Sequence, residues 1–311
     1  MKRYDIMGLL LAAAVGFAVP GWAVAQEGGA VKGDKDLALR GDAVCTRCHD
    51  EESAVPEVLR IGQTKHGTVA DLRTPTCTSC HGESPTHIDK PEGVDERPKT
   101  DVVFTADSPN TVVERNAVCQ SCHQGGERIL WVGSTHEQND VACASCHKVH
   151  DGDDKVRDKM AQSEVCFTCH KQQRAQFDRP SRHPIPEGQV ACSDCHNPHG
   201  SNGPVLMARH TVNDTCYQCH MEKRGPFIWN HQPVTEDCTL CHDPHGTTVE
   251  NLLKWRRPFL CEQCHEPRSH RGAAAQIGEP FTSGRGCSNC HTNIHGGNHP
   301  ANDSGSRSFR Q

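Results

Sequence analysis

The sequence predicts short α-helices and irregular loops wrapped round covalently bound groups, with little β-structure, in an elongated linear array. Three observations predict it. Ten copies of Cys-x-x-Cys-His use all 20 cysteines of the 311 residues. Pairs of these motifs recur at a near-constant interval. The chain is also too poor in apolar side chains to make its own core. Hydrophobic residues are 34% of it and aromatic residues 5%, against 27 Gly and 19 Pro. A chain near this length ordinarily buries roughly 75% of its unfolded surface, so the bound groups must supply the missing apolar area, and the Gly and Pro content favours irregular backbone.

The motif identifies the groups. Cys-x-x-Cys-His is the attachment signature of a c-type haem. Its two thiols form thioethers to the porphyrin edge, and the adjacent His binds iron from one side. Structural zinc uses paired Cys-x-x-Cys units, and exported Cys-rich chains hold disulfides, but neither explains a His after every pair. Ten covalently bound haem c groups are expected, the fold class of a multihaem cytochrome c. Motifs 1 to 5 are Cys45, Cys48 and His49; Cys77, Cys80 and His81; Cys119, Cys122 and His123; Cys143, Cys146 and His147; and Cys166, Cys169 and His170. Motifs 6 to 10 are Cys192, Cys195 and His196; Cys216, Cys219 and His220; Cys238, Cys241 and His242; Cys261, Cys264 and His265; and Cys287, Cys290 and His291.

The N-terminus reads as a secretory signal over residues 1–25. Lys2 and Arg3 precede an apolar run from Met7 to Val19, and Ala23-Val24-Ala25 is a small-x-small cleavage site. Such a segment is excluded from the fold, and the apolar run is short for an uncleaved anchor. Haem attachment after export implies a bacterial periplasm. Residues 26–44 form a polar N-terminal segment. The formal charge of −6 does not fit a nucleic-acid binder.

Five di-haem repeats follow: 45–118, 119–165, 166–215, 216–260 and 261–299, with a flexible tail over 300–311. Their first cysteines are 74, 47, 50 and 45 residues apart. The long first interval contains an insertion, 88–118, with neither Cys nor His. Self-similarity at a fixed period argues for a stacked, linear architecture in which each unit meets its neighbours.

The remaining histidines supply the second axial ligand. Each repeat places two in equivalent positions: His66 and His87, His136 and His150, His183 and His199, His231 and His245, His270 and His295. That makes ten distal candidates for ten irons. His299 competes with His295, and His210 has no counterpart. A His three residues after the proximal one, as His150 after His147, cannot pass round the porphyrin, so it must bind a different haem. Distal ligands should therefore staple haems to one another, in pairings the sequence leaves open. Met160, Met207 and Met221 do not recur, so His/His ligation and low potentials are expected. With both axial sites filled, no iron is catalytic. The chain is an electron conductor rather than an enzyme, and its chemistry belongs to the cofactor.

The ten motifs, the length, the N-terminal signal, and the segments His196-Asn197-Pro198-His199-Gly200 and His242-Asp243-Pro244-His245-Gly246 resemble the periplasmic decahaem cytochromes of the MtrA/DmsE/MtoA type. The resemblance spans nearly the whole mature chain and implies a haem wire inside an outer-membrane β-barrel porin. It further implies periplasmic and inner-membrane cytochromes as donors or acceptors, and an extracellular multihaem cytochrome or terminal reductase beyond the membrane. A soluble periplasmic carrier or reservoir feeding a reductase is the alternative. The resemblance does not fix the direction of flow.

Overall fold

The structure is a computed structural model and describes residues 37–298, except 51, 54, 69, 70, 72, 267–286 and 290. The expected signal, the tail, His270, His299 and Cys290 lie outside the described residues. Within them the chain consists of short α- and 3₁₀-helices joined by loops, with no strands. Pairing between extended backbones is confined to isolated bridges, among them His196 with Met207 and His242 with Leu253.

Two helical patterns alternate. Each odd-numbered motif places its first cysteine in a helix that begins upstream: Leu37–Thr46, Val112–Gln120, Gln162–Phe167, Val212–Cys216 and Phe259–Glu262. Each even-numbered motif starts a helix at its first cysteine: Cys77–His81, Cys143–Cys146, Cys192–Cys195, Cys238–Leu240 and Cys287–Asn289. Short polar caps set the starts. Thr111 Oγ1 accepts from Glu114 N at 3.2 Å, and Glu114 Oε2 accepts from Thr111 N at 2.7 Å. Thr211 Oγ1 accepts from Asp214 N at 3.0 Å.

The protein core is small. Among the described residues no large side chain is fully buried. Phe167, Phe177 and Ile185 form a cluster joined by Val190 and Cys192. The side chains deepest in the molecule include as many polar as apolar ones: Asp42, Asn116, Gln162, Ser163 and Asn213 are all buried. These join the motifs in pairs. Asp42 accepts from Cys77 N at 2.6 Å, Asn116 from Cys143 N at 2.8 Å, and Asn213 from Cys238 N at 2.8 Å. The three acceptors stand three residues before Cys45, Cys119 and Cys216. Gln162, four residues before Cys166, does the same work by accepting from Ser193 N at 2.9 Å. Arg257, four residues before Cys261, bonds Ser288 Oγ. Each odd-numbered helix is thereby fixed to the first turn of the following motif.

The segment 88–118 is ordered around two histidines. Val102 O accepts from His81 Nδ1 at 2.9 Å, and Pro98 O accepts from His87 Nδ1 at 2.7 Å. Ser84 and Asp101 exchange two hydrogen bonds, at 2.8 and 2.9 Å, that tie this loop back to motif 2. Phe104 packs edge-on against the His81 ring at 5.5 Å.

Candidate haem sites

A single helical turn closes the motif. In motif 3 the His123 N–H donates to Cys119 O at 2.9 Å, and the same i to i+4 bond recurs at 2.9–3.0 Å from His49 to His291. Residues i, i+3 and i+4 share one helix face, so both thiols and the imidazole of each of motifs 1 to 9 project from the same side. This is the arrangement that two thioethers and an axial ligand to one porphyrin demand.

The cysteines of successive motifs lie beside one another. Cys45 neighbours Cys77, Cys119 neighbours Cys143, Cys166 neighbours Cys192, Cys216 neighbours Cys238, and Cys261 neighbours Cys287. Between these pairs Cys80 lies near Cys119 and Cys122, Cys146 near Cys169, Cys195 near Cys216, and Cys241 near Cys264. The series runs unbroken in motif order. Burial pushes the Cys77 thiol up to about 12 and the Cys195 and Cys261 thiols to about 11. Among the described residues no cysteine is in a disulfide.

Opposite each of motifs 1 to 9 stands a second imidazole. His49 faces His87 with ring centres 6.1 Å apart, His81 faces His150 at 6.1 Å, and His123 faces His66 at 5.8 Å. His147 faces His199 at 6.1 Å, His170 faces His136 at 6.1 Å, and His196 faces His245 at 6.2 Å. His220 faces His183 at 6.3 Å, His242 faces His295 at 6.2 Å, and His265 faces His231 at 6.1 Å. The angle between ring planes runs from 9° to 73° while the distance barely changes. Direct aromatic contacts vary over roughly 4.5–7 Å with their geometry, so a constant gap at any angle points to a fixed spacer. A metal–imidazole bond is about 2.0–2.1 Å and a ring centre lies about 1.1 Å behind its nitrogen, so two imidazoles on opposite sides of one metal have centres ~6.2–6.4 Å apart. The pairs fit a haem iron. They do not fit a zinc cluster, because among the described residues no three His, Cys, Asp or Glu converge on one point.

The pairing follows a rule that the sequence did not disclose. Apart from the His49–His87 pair, the described pairs join neighbouring segments. The upstream candidates His66, His136, His183 and His231 reach forward to motifs 3, 5, 7 and 9. The downstream candidates His150, His199, His245 and His295 reach back to motifs 2, 4, 6 and 8. His87 closes on motif 1 of its own segment.

Hydrogen bonds fix the ring orientations, turning Nδ1 away and leaving Nε2 for the metal. His136 Nδ1 donates to Pro198 O at 2.7 Å and His183 Nδ1 to Pro244 O at 2.8 Å, while His150 Nδ1 donates to Val58 O at 2.9 Å. His196 donates to Val205 O at 3.0 Å and His242 to Asn251 O at 2.8 Å. Val205 and Asn251 sit at φ 47° and 58°, and a positive φ at a β-branched residue is strained. In motif 4 the acceptor is a carboxylate instead: Asp154 Oδ2 lies 2.7 Å from His147 Nδ1.

The same bonds explain the Asn/Asp-Pro-His-Gly segments. The Pro carbonyl orients a histidine of the preceding segment. Asn197 and Asp243 accept from the amides of His199 and His245 at 3.1 and 3.2 Å. Gly200 and Gly246 lie at φ 110° and 145°, where an added Cβ would strike the Leu130 and Gln176 carbonyls.

Burial, and then the facing ring, push the His66 and His199 imidazoles below the usual histidine range. Burial also lowers His295, with Lys223 and His242 adding to it. That keeps them neutral, the metal-binding form. A continuous cavity of 6510 Å³ runs past motifs 2 to 10, lined by their cysteines and histidines. One drug-sized ligand occupies roughly 300–1,000 Å³, so the space is on the order of ten such groups.

Comparison with known proteins agrees with this geometry. The doubled CXXCH motif model matches residues 183–225 and 231–270, and the cytochrome c-type protein NrfB-like model matches residues 77–161. The multiheme cytochrome MtrA of Shewanella baltica is 40% identical over 275 residues, covering 84% of this chain and 80% of that protein. The chain belongs to the MtrA family of multihaem cytochromes. It is therefore a c-type cytochrome that binds haem through Cys-x-x-Cys-His motifs and transfers electrons. The cytochrome c-type proteins NrfB of Escherichia coli O6:H1 and Haemophilus influenzae are 34% and 30% identical. They cover 43% and 42% of this chain, and 67% and 65% of their own lengths. The MtrA likeness thus extends over about twice as much of the chain as the NrfB likeness.

Sequence reasoning missed the buried polar residues that join the motifs. The recurrence of Asp42, Asn116 and Asn213 three residues before a motif was the signal available. The segment 88–118, free of Cys and His, also gave no hint that its carbonyls orient His81 and His87.

Proposed function

We propose that all ten motifs carry haem c and that each iron is held between two imidazoles. The assignments are His49 with His87, His81 with His150, His123 with His66, His147 with His199, and His170 with His136. They continue with His196 and His245, His220 and His183, His242 and His295, and His265 and His231. His291 is assigned His270, the one of the ten distal candidates that remains. Haem supplies reversible one-electron chemistry at its iron. The chain's own part is to fix spacing and order, turn Nε2 of the imidazoles toward the metal, and provide two imidazoles for each iron so that no substrate binds.

The chain on this reading is exported to the periplasm and conducts electrons between periplasm and cell exterior, seated in an outer-membrane β-barrel porin. The observation that carries it is the unbroken succession of neighbouring cysteine pairs and facing imidazoles in motif order, with ligands crossing between segments. Loop-rich backbone cannot face lipid, where its polar groups would go unsatisfied, whereas a large barrel offers a polar lumen. Periplasmic and inner-membrane cytochromes would exchange electrons at one end, and an extracellular multihaem cytochrome or terminal reductase at the other. The likeness to the NrfB proteins favours a second reading, a soluble periplasmic carrier donating to a reductase.

Reconstitution separates the two. The cytochrome and a candidate outer-membrane β-barrel porin are placed in liposomes that enclose an oxidised redox dye, and a membrane-impermeant reductant is added outside. The conduit reading predicts dye reduction only with both proteins present. A cytochrome that stays in the soluble fraction and leaves the dye oxidised would favour the carrier.

A further inference from the structure

Of motifs 2, 4, 6 and 8, three share one design around the proximal histidine and motif 4 departs from it. His81, His196 and His242 present Nδ1 to the neutral main-chain carbonyls of Val102, Val205 and Asn251 at 2.9, 3.0 and 2.8 Å. His147 presents Nδ1 to Asp154 Oδ2 at 2.7 Å. The carboxylate is well placed to keep this bond. Its side chain is only 19% exposed. Its other oxygen accepts from Lys148 N at 3.3 Å. Lys148 Nζ itself turns away to Ala144 O, and among the described residues no Lys or Arg pairs with Asp154. The imidazole opposite adds no counterweight, because His199 Nδ1 is buried without a hydrogen-bond partner.

A carboxylate that accepts the outer N–H of a metal-bound imidazole raises that ligand's basicity. We infer that Asp154 is a tuning residue: it gives the His147 ring imidazolate character and holds the iron of motif 4 at a lower potential than those of motifs 2, 6 and 8. The redox step concerned is the gain of one electron, ferric to ferrous, with no bond made or broken and the electron supplied by the chain's own transport activity. A more basic ligand favours the ferric side. Removing second-sphere partners commonly changes metal affinity by about 10–100-fold. The lower figure, applied to the ferric–ferrous equilibrium, is about 59 mV for one electron.

This inference rests on the reading that His147 and His199 share one iron. The test uses full-length holoprotein in four forms: unmodified, Asp154→Asn, Asp154→Ser, and Asp153→Asn. Asp153 is an exposed neighbour, so its variant changes charge without touching His147. Mass spectrometry counts the haems in each, and spectropotentiometry resolves their potentials. The expected result is that one low-potential component moves positive by a tenfold change in equilibrium, or more, in both Asp154 variants and stays in place in Asp153→Asn. Unchanged titrations with full haem content, or an equal shift in Asp153→Asn, would overturn the inference. Loss of one haem from both Asp154 variants would assign a purely structural role and overturn it too. Carbon monoxide binding at motif 4 of the unmodified protein would instead overturn the ligand pairing.

Discussion

Asn213→Ala tests whether buried polar residues hold the motifs in pairs. Asn213 is 6% exposed. Its Oδ1 accepts from Cys238 N at 2.8 Å, and its Nδ2 donates to Val234 O at 2.9 Å and Thr235 O at 3.2 Å. Alanine removes all three bonds. A buried amide N–H left without an acceptor costs about 1–3 kcal/mol, and each lost carbonyl bond about 0.5–1.5 kcal/mol. The sum is roughly 2–6 kcal/mol, a large share of a typical stability. Asn213→Asp keeps the acceptor for Cys238 N, as Asp42 does naturally for Cys77 N, but sets a carboxylate oxygen against the Val234 and Thr235 carbonyls, so it should destabilise while leaving the Cys238 amide protected. Guanidinium titrations of the holoprotein, with hydrogen exchange at the Cys238 amide, measure both. The expected result is that wild type is the most stable of the three, with faster exchange at Cys238 in the Ala variant than in the Asp variant. An unchanged midpoint and unchanged Cys238 protection in Asn213→Ala would refute the reasoning.

Further predictions follow from the same geometry. His150→Ala should open one iron, that of motif 2, because His150 faces His81 across segments; the reduced variant should bind one carbon monoxide per molecule, with motif 4 unaffected. Gly246→Ala forces a Cβ onto the Gln176 carbonyl at φ 145° and should cost more than about 1 kcal/mol, read as a lower thermal midpoint. Acid should weaken the fold. Burial lowers His66, His81, His196 and His245 below their ordinary value, so the unfolded chain binds more protons at mildly acid pH. Stability is full above about pH 6.5 and falls as pH drops through and below that value; circular dichroism and the Soret band should report the loss together, and a fold that strengthens on acidification would contradict it.

The sequence made the covalent chemistry legible because that chemistry is local. Two thiols and an imidazole need one helical turn, and Cys119-x-x-Cys122-His123 specifies one. It also pointed to candidate second histidines, since equivalent positions recur, and nine of the ten face a motif histidine among the described residues. The pairing was hidden because it is tertiary. His150 stands three residues from His147 yet faces His81, and only the stacking of segments brings those rings opposite one another. His295 rather than an alternative faces His242, a choice that the irregular final spacing left open. The polar joints were hidden for another reason. Asn116 and Asn213 are single polar residues within helices and belong to no motif, and only their burial shows that their side-chain amides bond the next motif. Phe104 and Val102, in a segment without Cys or His, act through packing and a main-chain carbonyl, which leave no motif.

Intact-mass spectrometry of the exported holoprotein, combined with carbon monoxide titration of its fully reduced form, tests the central claim most directly. The account predicts the mass of the mature chain plus ten haems, and no carbon monoxide bound. Fewer than ten haems, or stoichiometric binding by the unmodified protein, would contradict a relay in which every iron is clamped between two histidines.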